Sequence, residues 1–360
     1  ARVGVGRNPN GRGEPYPAEG EPGDGAAGLL ADAGKTMPFV DRVVFSREKE
    51  SIPYWNKFLQ GYYDSSAIPS DTFDQAVRVS VGGEVGLTPE MEEKGIQLRT
   101  SPDTTILYLG VNWLDDVVGG PGERATRLRR AIAIAVDWEE FISIFLNGRG
   151  KVAHDPLAPG IFGQRTGREG INPLTHAWDD GRAQRRPIED ARRLLAEAGY
   201  PDGRDAKTGK PLVLYLDTVG RGPGDKPRFD WWRRQFAKIS LQLEIRDTDW
   251  NRFQEKIRKG SQQLYILGWN ADYPDPENFL FLLHGAQARV KTQGENTSNY
   301  MNAEFDALFE RMKNIPNSPE RQKIIDRMVE IVRRDAPWVG GFHPVSYGLT
   351  HTWMMNGKPN

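Results

Sequence analysis

The sequence predicts an α/β protein whose parallel strands carry helices on their faces. Three observations predict it. Between residues 211 and 269, strand-like apolar runs alternate with helical ones: PLVLYLD (211–217), KPRFDWWRRQFAKI (226–239), LQLEIRD (241–247), WNRFQEKIRKG (250–260) and QLYILGW (263–269). The links between them are short, and a β-α-β-α-β order with short links argues parallel strands. The chain of 360 residues is also long enough for about two domains.

From the N-terminus, residues 1–38 are rich in Gly, Pro and acids without periodicity and read as a long loop over a domain, or as partly disordered. FVDRVVF (39–45) alternates as a strand. IPYWNKFLQGYYD (52–64) reads as a short helix stopped by Gly61, and TTILYLGVN (104–112) as a second strand. GERATRLRRAIAIAV puts Leu128, Ile132, Ala135 and Val136 on one helical face. Asp137 followed by Glu140 is a capping-box pattern that restarts a helix through WEEFISIFLN, with Gly148 to end it. A Pro- and Gly-rich loop runs to Arg186. Pro187 suits the first helical position of PIEDARRLLAEAG, and Gly199 its end. In the alternating segment, Asp249 is the expected N-cap of its helix. Three helices follow: PENFLFLLHG, NAEFDALFERMKN and SPERQKIIDRMVEIVRRD, the last capped by Ser318 with Pro319 in its first turn. The tail, PWVGGFHPVSYGLTHTWMMN, reads as extended.

Composition excludes several functions. The chain carries 48 basic and 49 acidic residues, and no basic block marks a nucleic-acid face. The arginine pairs at 129–130, 192–193, 233–234 and 333–334 read as solvated helix faces. Mean hydropathy is −0.61, and no apolar run approaches the roughly 18 residues of a membrane span. No signal-peptide pattern opens the sequence. There is no cysteine, so disulfides, thiolate metal sites and a cysteine nucleophile are excluded. A chain without thiols suits export to an oxidising compartment, where it has nothing to mispair. His154, His176, His284, His343 and His351 are scattered without metal-ligand spacing, and neither a GxSxG element nor a P-loop is present. No cofactor or metal is expected.

The strand ends hold the candidate site. In open α/β sheets ligands bind beyond the carboxyl ends of the strands. One predicted strand runs into Thr248-Asp249-Trp250, another into Gly268-Trp269-Asn270-Ala271-Asp272. Parallel strands would bring Trp250 and Asp272 to the same rim. An aromatic face beside a carboxylate suits an organic cation: the ring contributes about 0.5–2 kcal/mol and a charge-assisted hydrogen bond roughly 1.5–3 kcal/mol. The plainer alternative is that Asp272 caps the helix starting near Pro276, but Asp275 is better placed for that cap. Two rivals come from other classes. Asp272, Asp275 and Glu277 are carboxylates of the glycosidase kind, but one short loop does not set two of them across a substrate. A structural or assembly module is the other.

These residues also carry a resemblance. LRRAIAIAVDWEEFI, GWNADYPDPENFL and NAEFDALFERM…SPERQKIIDRMVEIVRRDAPWV resemble the extracytoplasmic solute-binding proteins of family 5, the oligopeptide- and dipeptide-binding subunits of ABC importers, and the likeness extends over nearly the whole chain. The resemblance implies a two-lobed, type II periplasmic-binding-protein-like α/β fold with one lobe complete and one partial. Residues 1–105 would form a partial lobe I lacking its N-terminal strands, 106–336 the ligand-binding lobe III, and 337–360 the return to lobe I. It also implies that Asp272 receives the α-ammonium group of a bound peptide and that Gly268 and Asn270 offer backbone groups to its main chain. Trp250, with Trp269 nearby, would line the cleft between the lobes. The implied partners are a short peptide and a membrane permease, and the implied location is periplasmic or extracytoplasmic, with membrane anchoring through a preceding segment. No catalysis is implied.

Two departures from the family pattern stand out. Ile257 and Ile266 fill places where a peptide binder carries arginine, so recognition of a ligand carboxylate is open. Members of the family also take up nickel complexes, haem, opines or sugars, and fold alone does not fix the ligand. The sequence opens on ARVGVGRNPNGRGEPYP, which resembles the middle of the family's pattern, and stops at WMMNGKPN before its usual closing segment. The expectation is that the remainder of lobe I lies outside this sequence or comes from a second polypeptide, because unpaired sheet edges and apolar faces need cover.

Overall fold

The β-α-β-α-β segment forms as read. In the computed structural model, which describes residues 2–46, 48, 50–79, 85–220 and 222–356, strands Val213–Val219, Gln242–Thr248 and Leu264–Asn270 alternate with helices Lys226–Ala237 and Trp250–Lys259. Val213–Val219 lies in the middle. It pairs in parallel with Gln242–Thr248 along its whole length, but with Leu264–Asn270 only at Leu216↔Leu264 and Asp217↔Tyr265. On its other side Leu264–Asn270 runs antiparallel to Thr105–Val111, which pairs in turn with Trp338–His351. The sheet changes from parallel to antiparallel at Leu264–Asn270.

Side chains alternate across that sheet, as a strand's period of two requires. Leu264 and Ile266 join Leu109 and Val111 in one core cluster, beneath helices Glu123–Ala135, Ile188–Glu197 and Lys226–Ala237. Tyr265, Leu267 and Trp269 join Ile106 and Tyr108 in the other, against Trp250–Lys259, Ala303–Met312 and Pro319–Asp335. Leu128, Ile132, Ala135 and Val136 are fully buried in the first cluster, the face their spacing predicts.

This sheet and its helices form one unit, from Pro102 to Val345. The described residues up to Ser101, with those from Ser346 onward, form another, with a core built on Trp55, Phe58, Phe73, Met91 and Leu349. The change of unit falls at Ser346, inside the strand Trp338–His351, where the sequence reading put it at 337. The first part of that strand still pairs with Tyr108, Leu107 and Gly150–Val152, and only its end pairs with Ser65–Ala67.

Several local readings need correction. The N-terminal stretch is not a featureless loop: Arg2–Gly6 pairs antiparallel with Arg42–Ser46, and Glu14–Pro15 with Thr36–Met37. The last residues of the tail, 357–360, lie outside the described residues. The segment read as loop before Arg186 contains a hairpin, His176–Asp179 with Arg182–Arg185, turned by Asp180 and Gly181 at positive φ; that Asp-Gly pair is the hairpin signal the sequence held. Pro187 stands at the N-cap rather than inside the helix. The capping box is half formed. Asp137 accepts from the Glu140 N–H at 2.9 Å, but the Asp137 N–H donates to Gln235 Oε1 at 3.1 Å, and the Glu140 carboxylate takes the Gln235 amide instead.

Of the arginines read as solvated, one is buried and another half-buried. Arg129 is fully buried, with its guanidinium donating to the carbonyls of Val118, Gly120 and Asp335 at 2.8–2.9 Å and lying 4.4 Å over the Trp113 ring. Burial draws its pKa down to about 10 against the opposing field of Asp335. Arg333 donates to the carbonyls of His154 and Gly170. Five N–H donors let one guanidinium satisfy several loop and helix-end carbonyls at once.

Candidate functional site

Two hydrogen bonds set the parity of the strand Leu264–Asn270. The Ala271 N–H donates to the Thr104 carbonyl at 2.8 Å, and the Asn112 N–H to the Gln263 carbonyl at 2.9 Å. In an antiparallel ladder residues alternate in the direction of their backbone groups. Residues 263, 265, 267, 269 and 271 therefore face Thr105–Val111, and residues 264, 266, 268 and 270 face the other way. Leu264 meets Val213–Val219 there, but that parallel ladder ends at Tyr265. Gly268 and Asn270 turn their N–H and C=O groups to an edge with no paired strand among the described residues. A Cβ at Gly268 would lie 3.0 Å from the Ile106 carbonyl oxygen and 3.2 Å from Leu107 Cγ, so the neighbouring strand's close approach favours glycine. The Asn270 side chain is tied back through its Oδ1, which accepts from Thr105 Oγ1 at 2.8 Å.

Asp272 follows on an exposed loop. Its N–H donates to Asn278 Oδ1 at 2.8 Å, while its carboxylate meets no donor among the described residues. The loop's capping is done by Asp275, whose Oδ1 accepts from the Glu277 N–H at 2.8 Å. Arg321 grips both oxygens of Asp275, at 2.7 and 2.8 Å. Burial alone would disfavour charge on Asp275, but the Arg321 hydrogen bonds, the Glu277 N–H and the field of the guanidinium together hold its carboxyl below the ordinary value. Trp269 donates from Nε1 to Asn278 Oδ1 at 3.0 Å and meets Phe281 edge-on at 5.3 Å.

The structure thus brings Gly268, Trp269, Asn270 and Asp272 together on one strand end and loop. Trp250 leaves the same edge of the sheet, because its strand runs parallel, but Val213–Val219 stands between. It is 54% exposed, and its ring stacks on Phe253 at 6.0 Å. Ile257 lies in the core and Ile266 is half-buried beneath the sheet. The sequence reading missed Thr105, Asn278 and Arg321. Asn278 reads as an ordinary helical residue and Arg321 as a helix-surface one, with nothing local to link either to Asp272. Among the described residues no group of three or more His, Asp or Glu is placed to hold a metal ion.

A backbone edge and a carboxylate, both without a partner among the described residues, suit an extended chain that carries a cation. The comparisons with known proteins bear on the same region, since residues 23–289 match the family described as bacterial extracellular solute-binding proteins, family 5, middle region. The chain belongs to family 5. Its members are binding proteins, not enzymes, so the carboxylates at 272, 275 and 277 need no catalytic account. The chain is 28% identical over 222 residues to heme-binding protein A of Haemophilus influenzae, covering 61% of this chain and 37% of that protein. It is 25% identical over 276 residues to di/tripeptide-binding protein 2 of Pseudomonas aeruginosa, covering 73% and 46%. Among solved structures, the fold matches the periplasmic binding protein DppA of Helicobacter pylori in complex with the peptide STSA, at TM-score 0.67 and 21% identity over 89% of this chain and 55% of that one. It also matches the oligopeptide-binding protein AppA of Bacillus subtilis in complex with a nonapeptide, at TM-score 0.67 and 18% identity over 90% and 59%. These structural likenesses show the α/β fold of the family. The chain spans about half the length of the relatives it matches.

Proposed function

We propose that this chain is the solute-binding part of an ABC import system and captures short peptides, with the ligand's ammonium group on Asp272. The observation that carries the reading is the edge at Gly268 and Asn270, two residues apart and facing outward, which continues into a carboxylate; neither has a partner among the described residues. An extended peptide pairs with such an edge through its own N–H and C=O groups. Backbone pairing selects for a peptide chain and little for its side chains. Asp272 then adds a charge-assisted hydrogen bond that selects the free N-terminus. Trp269 and the exposed Trp250 supply apolar walls along the same rim. Relatives from Pseudomonas aeruginosa and Helicobacter pylori that are named for peptides, or hold one, support the reading. The working partner is a membrane permease, and the location is extracytoplasmic, in keeping with the family description.

Calorimetry with a tripeptide and its N-acetyl form tests it. Acetylation, or Asp272→Asn, should each weaken binding at least tenfold, about 1.4 kcal/mol, and the two together should lose little more. Equal affinity of wild type and Asp272→Asn for the free-amine peptide overturns the assignment. Native mass spectrometry of the protein from cells should show a mixture of short peptides; a single non-peptide species at full occupancy favours another solute, such as haem, an opine, a sugar or a metal complex.

A further inference from the structure

We infer that Asn278 is a positioning residue: by accepting from the Asp272 N–H, its side-chain oxygen fixes the backbone that carries the Asp272 carboxylate beside the open strand edge. This inference rests on the reading of Asp272 as the ammonium's counter-ion. Asn278 is 3% exposed. Its Oδ1 accepts two hydrogen bonds, from Trp269 Nε1 at 3.0 Å and from the Asp272 N–H at 2.8 Å. Trp269 belongs to the strand, where its backbone is locked opposite Ile106. Asp272 lies beyond the last ladder bond, from the Ala271 N–H to the Thr104 carbonyl. One oxygen therefore spans the joint between a rigid strand and the exposed loop that follows it.

Asn278 is itself anchored. Its N–H donates to the Asp275 carbonyl at 3.0 Å, and the Asp275 carboxylate is gripped by Arg321. Arg321 is 4% exposed and also donates to the Met312 carbonyl at 3.1 Å and to Asn317 Oδ1 at 2.6 Å. The path runs from the start of helix Pro319–Asp335, through Arg321 and Asp275, to Asn278 and then to Asp272. Each link is a hydrogen bond with a buried or half-buried partner. A carboxylate whose backbone is fixed before the ligand arrives loses less freedom when the ammonium binds, and preorganisation of this kind shows up as affinity for the group it serves. Without the oxygen at 278, the Asp272 N–H would lose its acceptor, and between the Ala271 ladder bond and the Asp275 cap the loop would keep the Asp275 N–H bond to the Tyr273 carbonyl, which does not reach Asp272. The carboxylate would remain, but its backbone would no longer be tied to the strand end.

The test uses the whole chain, a free-amine tripeptide and the same peptide N-acetylated. Wild type should prefer the free amine at least tenfold. Asn278→Leu, branched like asparagine but without the acceptor, should cut that preference below threefold, while its affinity for the acetylated peptide moves by less than threefold. General damage to the fold would weaken both peptides together. A preference still at tenfold in a folded Asn278→Leu protein overturns the inference, as does an equal loss for both peptides. Wild type showing no preference at all would instead remove the reading of Asp272, a distinguishable result. Should Asn278→Leu not fold, the unaltered protein still decides. The Asp272 amide hydrogen should exchange at least tenfold more slowly than in an unstructured peptide, and exchange at the unstructured rate overturns the inference.

Discussion

Two parallel strands leave the same edge of the sheet, each with a tryptophan and an aspartate close by, and they part company at once. After Gln242–Thr248 the helix begins immediately. Asp249 is drawn into its cap, its Oδ1 accepting from the Asn251 and Arg252 N–H groups at 3.0 and 3.1 Å. After Leu264–Asn270 the next helix is delayed to Glu277, and the cap falls to Asp275. Asp272 is left with a carboxylate facing water. The residue types are alike, and what differs is the distance to the next unsatisfied helix N–H. A helix start takes the nearest side-chain acceptor, so an aspartate after a strand is open to a ligand only where a second acid stands closer to the helix.

The largest expected effect comes from undoing that division of labour. Arg321→Met would leave the Asp275 carboxylate without its cation and the Met312 carbonyl with only the Ile315 N–H, at 3.3 Å. Breaking a buried pair from one side costs about 3 kcal/mol where, as here, one partner keeps some contact with water. Urea unfolding should show that loss, and an unchanged midpoint would mean that Asp275 does not depend on Arg321. A middle-sized effect sharpens the contrast between the two exits. Asp249→Ala should cost about 1 kcal/mol of stability through the lost cap and leave peptide affinity unchanged; a drop in affinity matching that of Asp272→Asn would erase the distinction. The smallest effect depends on pH. The Asp275 carboxyl is held below its ordinary value of 3.8, so its contribution to stability is present above that pH and is lost as pH falls through the folded-state value. Wild type should lose stability between pH 5 and pH 3 more steeply than Asp275→Asn, and identical slopes in urea unfolding would show that the pair is not ionised as described.

The parallel strands, the Asp249 cap and the buried face around Leu128 were legible in the sequence, because each follows from a local period or a single neighbouring residue. The open parity of Gly268 and Asn270 was partly so, since the family likeness singled out those two and a strand's period of two explains why they go together. Asn278 and Arg321 were not legible. Arg321 reaches Asp275 across 46 positions, and nothing near either residue announces the pair. Arg129 misled for a related reason. Charge predicts exposure until several carbonyls converge on it, and here one of them, from Asp335, lies 206 positions away. At the N-terminus, glycines alternate with Val3 and Val5, so the period of two shows only half its side chains, and all of Arg2–Gly6 is exposed.

The parity at Gly268 and Asn270 also gives this strand something like a reading frame. Insert or delete one residue between Gln263 and Gly268, and the ladder with Thr105–Val111 could re-form only with odd and even exchanged beyond the change. Leu267 and Trp269 would then present their backbone groups outward, and every side chain past that point would be handed to the opposite core. Burial and presentation count the same residues, so a frameshift that spoils one spoils the other. The hairpin at Asp180-Gly181 carries no such count, and its exposed turn has room to lengthen without changing what the sheet displays.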